Sequence, residues 1–289
     1  MKQVKEIHQL PPEQRVTFDQ LSLHGQSVRE IFARLNIDIR NASVLDTFLR
    51  NVDRLAARWR EGNGQNVREM IDCTTAMRVF DAILAAQDDV SAIDCYHRIA
   101  RKDVDLFSSI PSQGKDALWE LQLLKELKSR GMNALLSEPD INVFVDEMTF
   151  PIACKKIYSI NNLEGQLRSA GTQIKKSGGG GIVALNIDAQ LPQNHLIVAS
   201  RNNASRTLVR ETENFLANNQ SLFRRMFAAG KFDAVLVSVS CPVDNDDVRP
   251  RFNVATETLI WCPSGICSLE SQARAEAFRA AMKLPLYPS

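Results

Sequence analysis

Apolar residues recur at intervals of three and four positions from about residue 18 to residue 106. Stretches such as "SVREIFARLNIDI" (27–39) set arginine and aspartate between these apolar positions, which is the pattern of amphipathic helices. We therefore predict an N-terminal bundle of helices. The stretch "SSIPSQGKD" (108–116) combines serine, proline and glycine, so we place a domain boundary there, between a helical domain (1–110) and an α/β domain (111–289).

The pattern changes after this boundary. Helical periodicity alternates with short apolar runs, and one of these runs, "IVALNID", is apolar enough to be buried on both faces of a sheet. Helices are predicted at 115–131, 161–177, 206–229 and 268–283, and strands near 141–146, 149–157, 182–188, 232–241 and 251–262. This order of elements requires a mixed sheet covered by helices, so the predicted fold class is α/β with an N-terminal helical bundle.

Charge adds little to this picture, because 35 lysines and arginines stand against 34 acidic residues. Any basic binding surface must therefore be local. No apolar run approaches the roughly 20 residues that cross a bilayer, and the first residues lack the apolar segment of a secretory signal, so we expect a cytoplasmic location without a membrane partner. The six cysteines have no paired CxxC spacing and are expected to be buried, reduced thiols.

Glu120 is the first candidate for chemistry, because it lies on the core-facing side of its helix, between Leu124 and Leu127. A carboxylate in an apolar setting needs a partner, since an unpaired ion there costs several kcal/mol. The partner is either a structural arginine or lysine, or a metal-bound water in an adjoining site.

Asp140 and Lys155 are the second candidate, one on each strand of a predicted hairpin. Residues two apart in a strand share a face, so Lys155 points to the same side as Ala153, while Cys154 points into the core. A divalent cation bound by Asp140 and by the Cys154 carbonyl would polarise a phosphate, and Lys155 would orient or deprotonate the attacking water. The alternative is structural: Asp140 is a turn residue, and Lys155 and Lys156 keep the end of a strand soluble.

The stretch "EPD", which ends at Asp140, and the stretch "ACK", which ends at Lys155, lie between the helix of Glu120 and the helix of Gln166 and Gln173. This arrangement resembles the PD-(D/E)xK nuclease superfamily. On this resemblance Asp140 binds the metal, Lys155 is the catalytic lysine and Glu120 is the acidic residue of the first core helix. Gln166 and Gln173 are the polar residues of the second helix, near the backbone of the nucleic acid.

The resemblance covers roughly residues 112–262. It implies a restriction-endonuclease-like mixed sheet flanked by helices. It also implies hydrolysis of phosphodiester bonds in nucleic acid, with DNA as the expected substrate and Mg²⁺ or Mn²⁺ as the cofactor.

One position departs from the family pattern, which has Asp or Glu where this chain has Ala153. Without that carboxylate the metal loses a direct ligand, and its affinity should fall. Glu164, in the first turn of the next helix, is the candidate substitute as a catalytic carboxylate and metal ligand. Equally, a glutamate in the first turn of a helix simply favours the helix dipole.

A local concentration of basic residues surrounds the proposed site, formed by Lys155, Lys156, Arg168, Lys175 and Lys176. Such a patch can neutralise phosphates without making the whole chain basic, so these residues are predicted to contact nucleic acid. A solvated helix face explains the same residues almost as well.

Two functions remain open on the sequence alone. The first is a metal-dependent nuclease, for which a homodimer is expected because self-association suits enzymes that cut both strands. The second is a catalytically degenerate nuclease fold that acts as a nucleic-acid-binding or protein-assembly module, with Ala153 marking the loss of catalysis.

Overall fold

The computed structural model describes residues 8–9, 16–62, 66–106, 108–192, 195–245, 247–249 and 251–284. The helices in these ranges are α1 (Phe18–Arg34), α2 (Val44–Arg60), α3 (Val67–Leu84), α4 (Ile93–Arg101), α5 (Gln113–Ser129), α6 (Leu163–Lys176), α7 (Arg201–Asn218), α8 (Gln220–Ala228) and α9 (Leu269–Met282). The strands are β1 (His8–Gln9), β2 (Asn133–Ser137), β3 (Asp140–Val145), β4 (Met148–Lys156), β5 (Ile182–Asn186), β6 (Ile197–Val198), β7 (Ala234–Asp244), β8 (Val248–Arg249) and β9 (Phe252–Trp261).

The N-terminal helices α1 to α4 form where the apolar periodicity predicts them. Thr17, Ser43 and Asn66 precede α1, α2 and α3, and each accepts a hydrogen bond from a backbone N–H in the first turn of its helix. These bonds satisfy donors that no helical carbonyl reaches. The first three helices pack on one another around fully buried side chains such as Leu45 and Phe80.

Helix α5 lies between the N-terminal helices and the sheet. It begins after the N-cap Ser112 and ends ahead of Gly131, whose φ of +79° is one that glycine adopts without strain. It packs against α3 and α4 on one side and against β2 and β4 on the other. One apolar cluster therefore runs from Phe80 through Leu124 to Ile152. The domain boundary between residues 110 and 111 stays a prediction.

Strands β2, β3 and β4 form an antiparallel meander, with Leu136 opposite Ile141 and Ile141 opposite Ile152. Strand β2 is not among the elements that the periodicity predicts. Its five residues "NALLS" alternate exposed and buried positions over too short a stretch to stand out from the preceding helix. With β2 included, the elements from α5 to β5 follow the order α-β-β-β-α-β.

Strands β4, β5 and β7 are parallel, and β9 runs antiparallel beside β7. Both faces of this sheet are covered, as the apolar character of β5 predicts. Ile182 and Ala184 face the cluster that contains α5, whereas Val183 and Leu185 face a second cluster formed with α6, α7 and α8. The predicted α/β fold, with N-terminal helices and a mixed sheet flanked by helices, is confirmed.

Some boundaries differ from the prediction. The helix expected near 206–229 is two helices, α7 and α8, which meet at Asn219. The Asn219 side-chain amide donates to the Phe215 carbonyl and so satisfies an acceptor at the end of α7. The two-residue strands β1, β6 and β8 lack the length that a periodicity argument needs.

Candidate functional site

The structure brings Asp140 and Lys155 together on one face of the sheet. Asp140 is the first residue of β3, just beyond the pair formed by Ile141 and Ile152, and Lys155 follows on β4. Lys155 Nζ lies 3.9 Å from Asp140 Oδ2. The two side chains are mostly buried, at 14% and 17% exposed respectively. The convergence expected from the strand periodicity is therefore present.

The main chain of β4 also contacts Asp140. The N–H of Cys154 donates to Asp140 Oδ2 at 2.7 Å. In an antiparallel pair the N–H and C=O of one residue point toward the same neighbouring strand, so the Cys154 carbonyl faces this edge as well. Within the described ranges Asp140 Oδ1 accepts no hydrogen bond. That oxygen is the open acceptor of the site.

The pKa of Asp140 is raised to about 7. Burial is the main cause, because it penalises the charged form, and the charge of Glu120 adds to it. The Lys155 ammonium and the Cys154 N–H act in the opposite direction but do not cancel the burial. The Asp140 carboxylate therefore lies in a place that is short of positive charge.

Glu120 has a partner from the N-terminal helices. Arg98 on α4 donates through Nη1 and Nη2 to the two carboxylate oxygens of Glu120, each at 3.0 Å. The Cys95 thiol donates to Glu120 Oε2 at 3.2 Å. Of the two partners considered for this carboxylate, the structure supplies the arginine. Nothing in the local sequence signals this pair, because 22 residues and a loop separate the two side chains.

Glu164 is paired with two arginines. It accepts hydrogen bonds from Arg168, at 2.6 Å, and from Arg225 on α8, at 3.4 Å. The bond from Arg168 is the main cause that lowers the Glu164 pKa, and its side chain is 41% exposed. In the described ranges no group of three or more acidic, histidine or cysteine side chains is arranged to hold a metal ion. The expected gathering of Glu164 with Asp140 and Glu120 is not formed.

Ala153 is fully buried, in the apolar cluster under α6. The face that Ala153 shares with Lys155 is thus covered at Pro151 and Ala153 and is partly exposed at Lys155. The Cys154 side chain points to the opposite face, as predicted, and burial raises its pKa. Cys154 would therefore meet a metal only through its main chain.

Lys156 is not part of the surface patch, so that prediction is wrong. Its side chain is 1% exposed, with Nζ 2.5 Å from Asn186 Oδ1 and 3.7 Å from Asp188 Oδ2. Burial lowers the pKa of Lys156 to about 8, while Asp188 opposes this effect. Arg78 on α3 pairs with the same aspartate at 2.9 Å. Lys156 is the last residue of a strand that is covered on both faces. Its side chain is therefore buried, although its charge favours a solvent-exposed strand end.

The remaining residues predicted to contact nucleic acid lie on α6. Arg168, Lys175 and Lys176 are exposed, whereas Gln166 and Gln173 are partly buried. The Gln173 side-chain oxygen has no hydrogen-bond partner among the described residues. Arg168 is already paired with Glu164, so Lys175 and Lys176 are the cations of the predicted set that form no ion pair within the described residues.

All six cysteines are free thiols, and four of them are buried as predicted, whereas Cys262 and Cys267 are partly exposed. None of the described helices has both the length and the apolar character needed to cross a membrane. Comparisons with protein-family models, with curated proteins and with solved structures found no match to this chain. The function must therefore be argued from the geometry of the site.

Proposed function

We propose that this protein is a metal-dependent nuclease that hydrolyses phosphodiester bonds, with DNA as its substrate and with Asp140 and Lys155 as its reacting pair. The observation that carries the proposal is the 3.9 Å separation of the Asp140 carboxylate and the Lys155 ammonium on one strand edge. The order α-β-β-β-α-β from α5 to β5 supports it, because the PD-(D/E)xK family has the same order in its core.

The donor set at Asp140 fits a magnesium or manganese ion. Mg²⁺ in proteins keeps several waters and takes only one or two carboxylates. Asp140 offers the open oxygen Oδ1, and the Cys154 carbonyl faces the same edge. A carboxyl group whose pKa is raised to about 7 by burial is short of the positive charge that such an ion provides. A bound ion would supply charge stabilisation at the phosphate and a more acidic water.

The chain's own groups then have distinct roles. Asp140 supplies the oxygen that would bind the ion. The hydrogen bond that its carboxylate accepts from the Cys154 N–H fixes the orientation of that carboxylate. The Lys155 ammonium donates hydrogen bonds to the attacking water or to a phosphate oxygen, which places the reactants in line. Arg168, Lys175 and Lys176 on α6 neutralise the flanking phosphates.

A second candidate has its own observation in support. Ala153 is 0% exposed and supplies no ligand, while both oxygens of Glu120 are held by Arg98. Asp140 is then the one carboxylate of the set with an oxygen that accepts no hydrogen bond from the described residues, so metal affinity would be low. This candidate is a nuclease fold that binds nucleic acid, or assembles with a partner protein, without cutting.

Cleavage of supercoiled plasmid in Mg²⁺ or Mn²⁺ tests the two candidates against each other. The full chain should nick or linearise the plasmid, EDTA should stop the reaction, and Lys155→Ala should abolish it. Lys128→Ala, which removes an exposed lysine from α5 that has no part in the proposed site, is the matched control and should leave cleavage unchanged. Single-stranded RNA as a parallel substrate would separate DNA from RNA.

Fluorescence anisotropy with a labelled duplex completes the experiment. Binding that weakens with salt, together with no cleavage in either metal, would support the non-catalytic module and overturn the nuclease proposal. Absence of both binding and cleavage would overturn both candidates.

A further inference from the structure

A row of polar side chains crosses the face of the sheet that α5 covers. Lys156, Asn186, Ser238 and Thr258 are successive register partners on β4, β5, β7 and β9. Two residues earlier on β5 and β7, the same face is apolar, and Ala184 and Leu236 lie there in the core. The exposed fractions of Asn186 and Ser238 are 0% and 3%. Buried polar groups in a row need hydrogen-bond partners, so their bonds can be counted.

The count leaves an excess of donors. Asn186 Oδ1 accepts from Lys156 Nζ and from the Asp188 N–H, which fixes the orientation of the amide. The Asn186 Nδ2 group is then buried without a partner among the described residues. Thr258 donates its hydroxyl proton to Ser238 Oγ, so the Ser238 proton is left to donate elsewhere.

A neighbouring pair repeats this arrangement. The hydroxyls of Ser240 and Thr256 lie 2.9 Å apart, and only one of their two protons can lie between them. Above these hydroxyls is a cleft of about 320 Å³, lined on its helical side by Arg78 and Gln122. Gln122 Oε1 accepts from Arg78, whereas Gln122 Nε2 is buried without a partner in the described part of the chain. Gln122 Nε2 and one hydroxyl proton of the Ser240 and Thr256 pair are therefore spare donors beside the cleft.

The cleft is lined by four basic side chains and two acidic ones. Three of the basic side chains are ion-paired: Arg78 with Asp188, Lys125 with Asp81 and Arg130 with Glu126. The fourth, Lys283, is exposed and forms no ion pair within the described residues. The volume lies at the lower end of the range for small-molecule sites, roughly 300–1,000 Å³. Unpaired donors together with the Lys283 ammonium suit a ligand that is rich in acceptors and negatively charged.

The cleft is separate from the Asp140 and Lys155 pair. Lys155 and Lys156 are adjacent on β4 and therefore point to opposite faces of the sheet. Ser238 lies two strands away from β4, which corresponds to about 10 Å across the sheet. Binding at one site can therefore be measured without the other.

We propose that this cleft binds a small molecule bearing an oxyanion, either a phosphate or a carboxylate. The hydroxyls of Ser238 and Ser240, the Gln122 amide and the Arg78 guanidinium contact the oxyanion. A cleft of this volume would otherwise hold several waters, and water alone would show no preference for anions. The inference does not depend on nuclease activity.

Isothermal titration calorimetry of the full chain with inorganic phosphate and with succinate, at ionic strength matched with chloride, tests this inference. We expect saturable binding of one of the two probes. Gln122→Met and Thr258→Val should each weaken this binding by about tenfold. Gln122→Met removes an amide that donates to the oxyanion, and Thr258→Val removes the hydroxyl that donates to Ser238 and so leaves the Ser238 proton for the oxyanion. Thr172→Val, which removes an exposed hydroxyl on α6, and Lys155→Met should leave it unchanged.

The outcomes separate the sources of the oxyanion. Binding of phosphate alone assigns a phosphate-bearing ligand, and binding of succinate alone assigns a carboxylate-bearing one. Thermal melts of each unliganded variant verify that the chain is folded. No saturable binding of either probe, equal binding by all variants, or loss of binding only in Lys155→Met would overturn the inference.

Discussion

Lys155 Nζ and Asp140 Oδ2 lie 3.9 Å apart, yet the Asp140 pKa is still raised to about 7. Attraction by one ammonium at this distance does not offset the cost of burying the carboxylate. The pair therefore differs from an ordinary surface ion pair, in which both charges stay solvated. Replacing Lys155 tests whether the Asp140 carboxylate lacks compensating positive charge.

Lys155→Met should raise the pKa of Asp140 further above about 7, because the Lys155 ammonium is the main group that lowers it. Carbon-13 NMR of labelled aspartate carboxyl groups would follow the titration directly. Lys175→Met on α6 is the matched control and should leave the Asp140 titration unchanged. An Asp140 titration that did not move in Lys155→Met would contradict the contact between the two side chains.

Asp140→Asn should stabilise the protein at pH 8. Because the native pKa of Asp140 is raised, the native state binds more protons than the unfolded chain between about pH 4 and about pH 7. The stability provided by the protonated carboxyl is present below this window and is lost as the pH rises through it. We expect Asp140→Asn to raise the free energy of unfolding by on the order of 2 kcal/mol at pH 8, and by much less at pH 4.5.

Urea unfolding at the two pH values would measure this difference. Asp146→Asn is the control, because Asp146 is an exposed acid in the turn of the same hairpin. Its effect should be small at both pH values. Equal effects of Asp140→Asn at pH 4.5 and pH 8 would contradict the raised pKa.

Arg98→Met should destabilise the protein by about 3 kcal/mol, because it leaves the buried Glu120 carboxylate without its bidentate partner. Arg98→Met combined with Glu120→Gln should cost less than the sum of the two single changes, since the second change removes the stranded charge. Urea unfolding of the four proteins gives the coupling energy. Arg101→Met, an exposed arginine on the same helix, is the control, and an equal cost for both arginines would refute the prediction.

These pairs also explain which parts of the site the sequence could predict. The direction of Lys155 follows from the two-residue period of a strand, and the position of Asp140 follows from the hairpin. The partner of Glu120 could not be predicted in this way, because Arg98 comes from a different helix. The burial of Lys156 is unpredictable for the same reason, because its ion-pair partner Asp188 lies after the neighbouring strand. Periodicity gives the face of a residue, whereas the partner on that face depends on long-range packing.

Asp188→Asn offers the sharpest test of the buried charges. Asp188 Oδ2 lies 2.9 Å from Arg78 Nη2 and 3.7 Å from Lys156 Nζ. Burial alone would raise the Asp188 pKa, but Arg78 and Lys156 together lower it. The substitution leaves two cations without their shared anion, and it should cost about 3 kcal/mol at pH 7.

The cost of Asp188→Asn should shrink at pH 9.5. Burial lowers the Lys156 pKa to about 8, so the native state binds fewer protons than the unfolded chain from about pH 8 to pH 10.5. Stability from this group therefore rises with pH across that window, and the loss of the Asp188 charge lowers the Lys156 pKa further. Urea unfolding at pH 7 and pH 9.5 measures the change, with Asp19→Asn in an exposed ion pair as the control. If Asp188→Asn lowered the free energy of unfolding equally at both pH values, Lys156 would keep its proton without the aspartate. That result would contradict a Lys156 pKa lowered by burial.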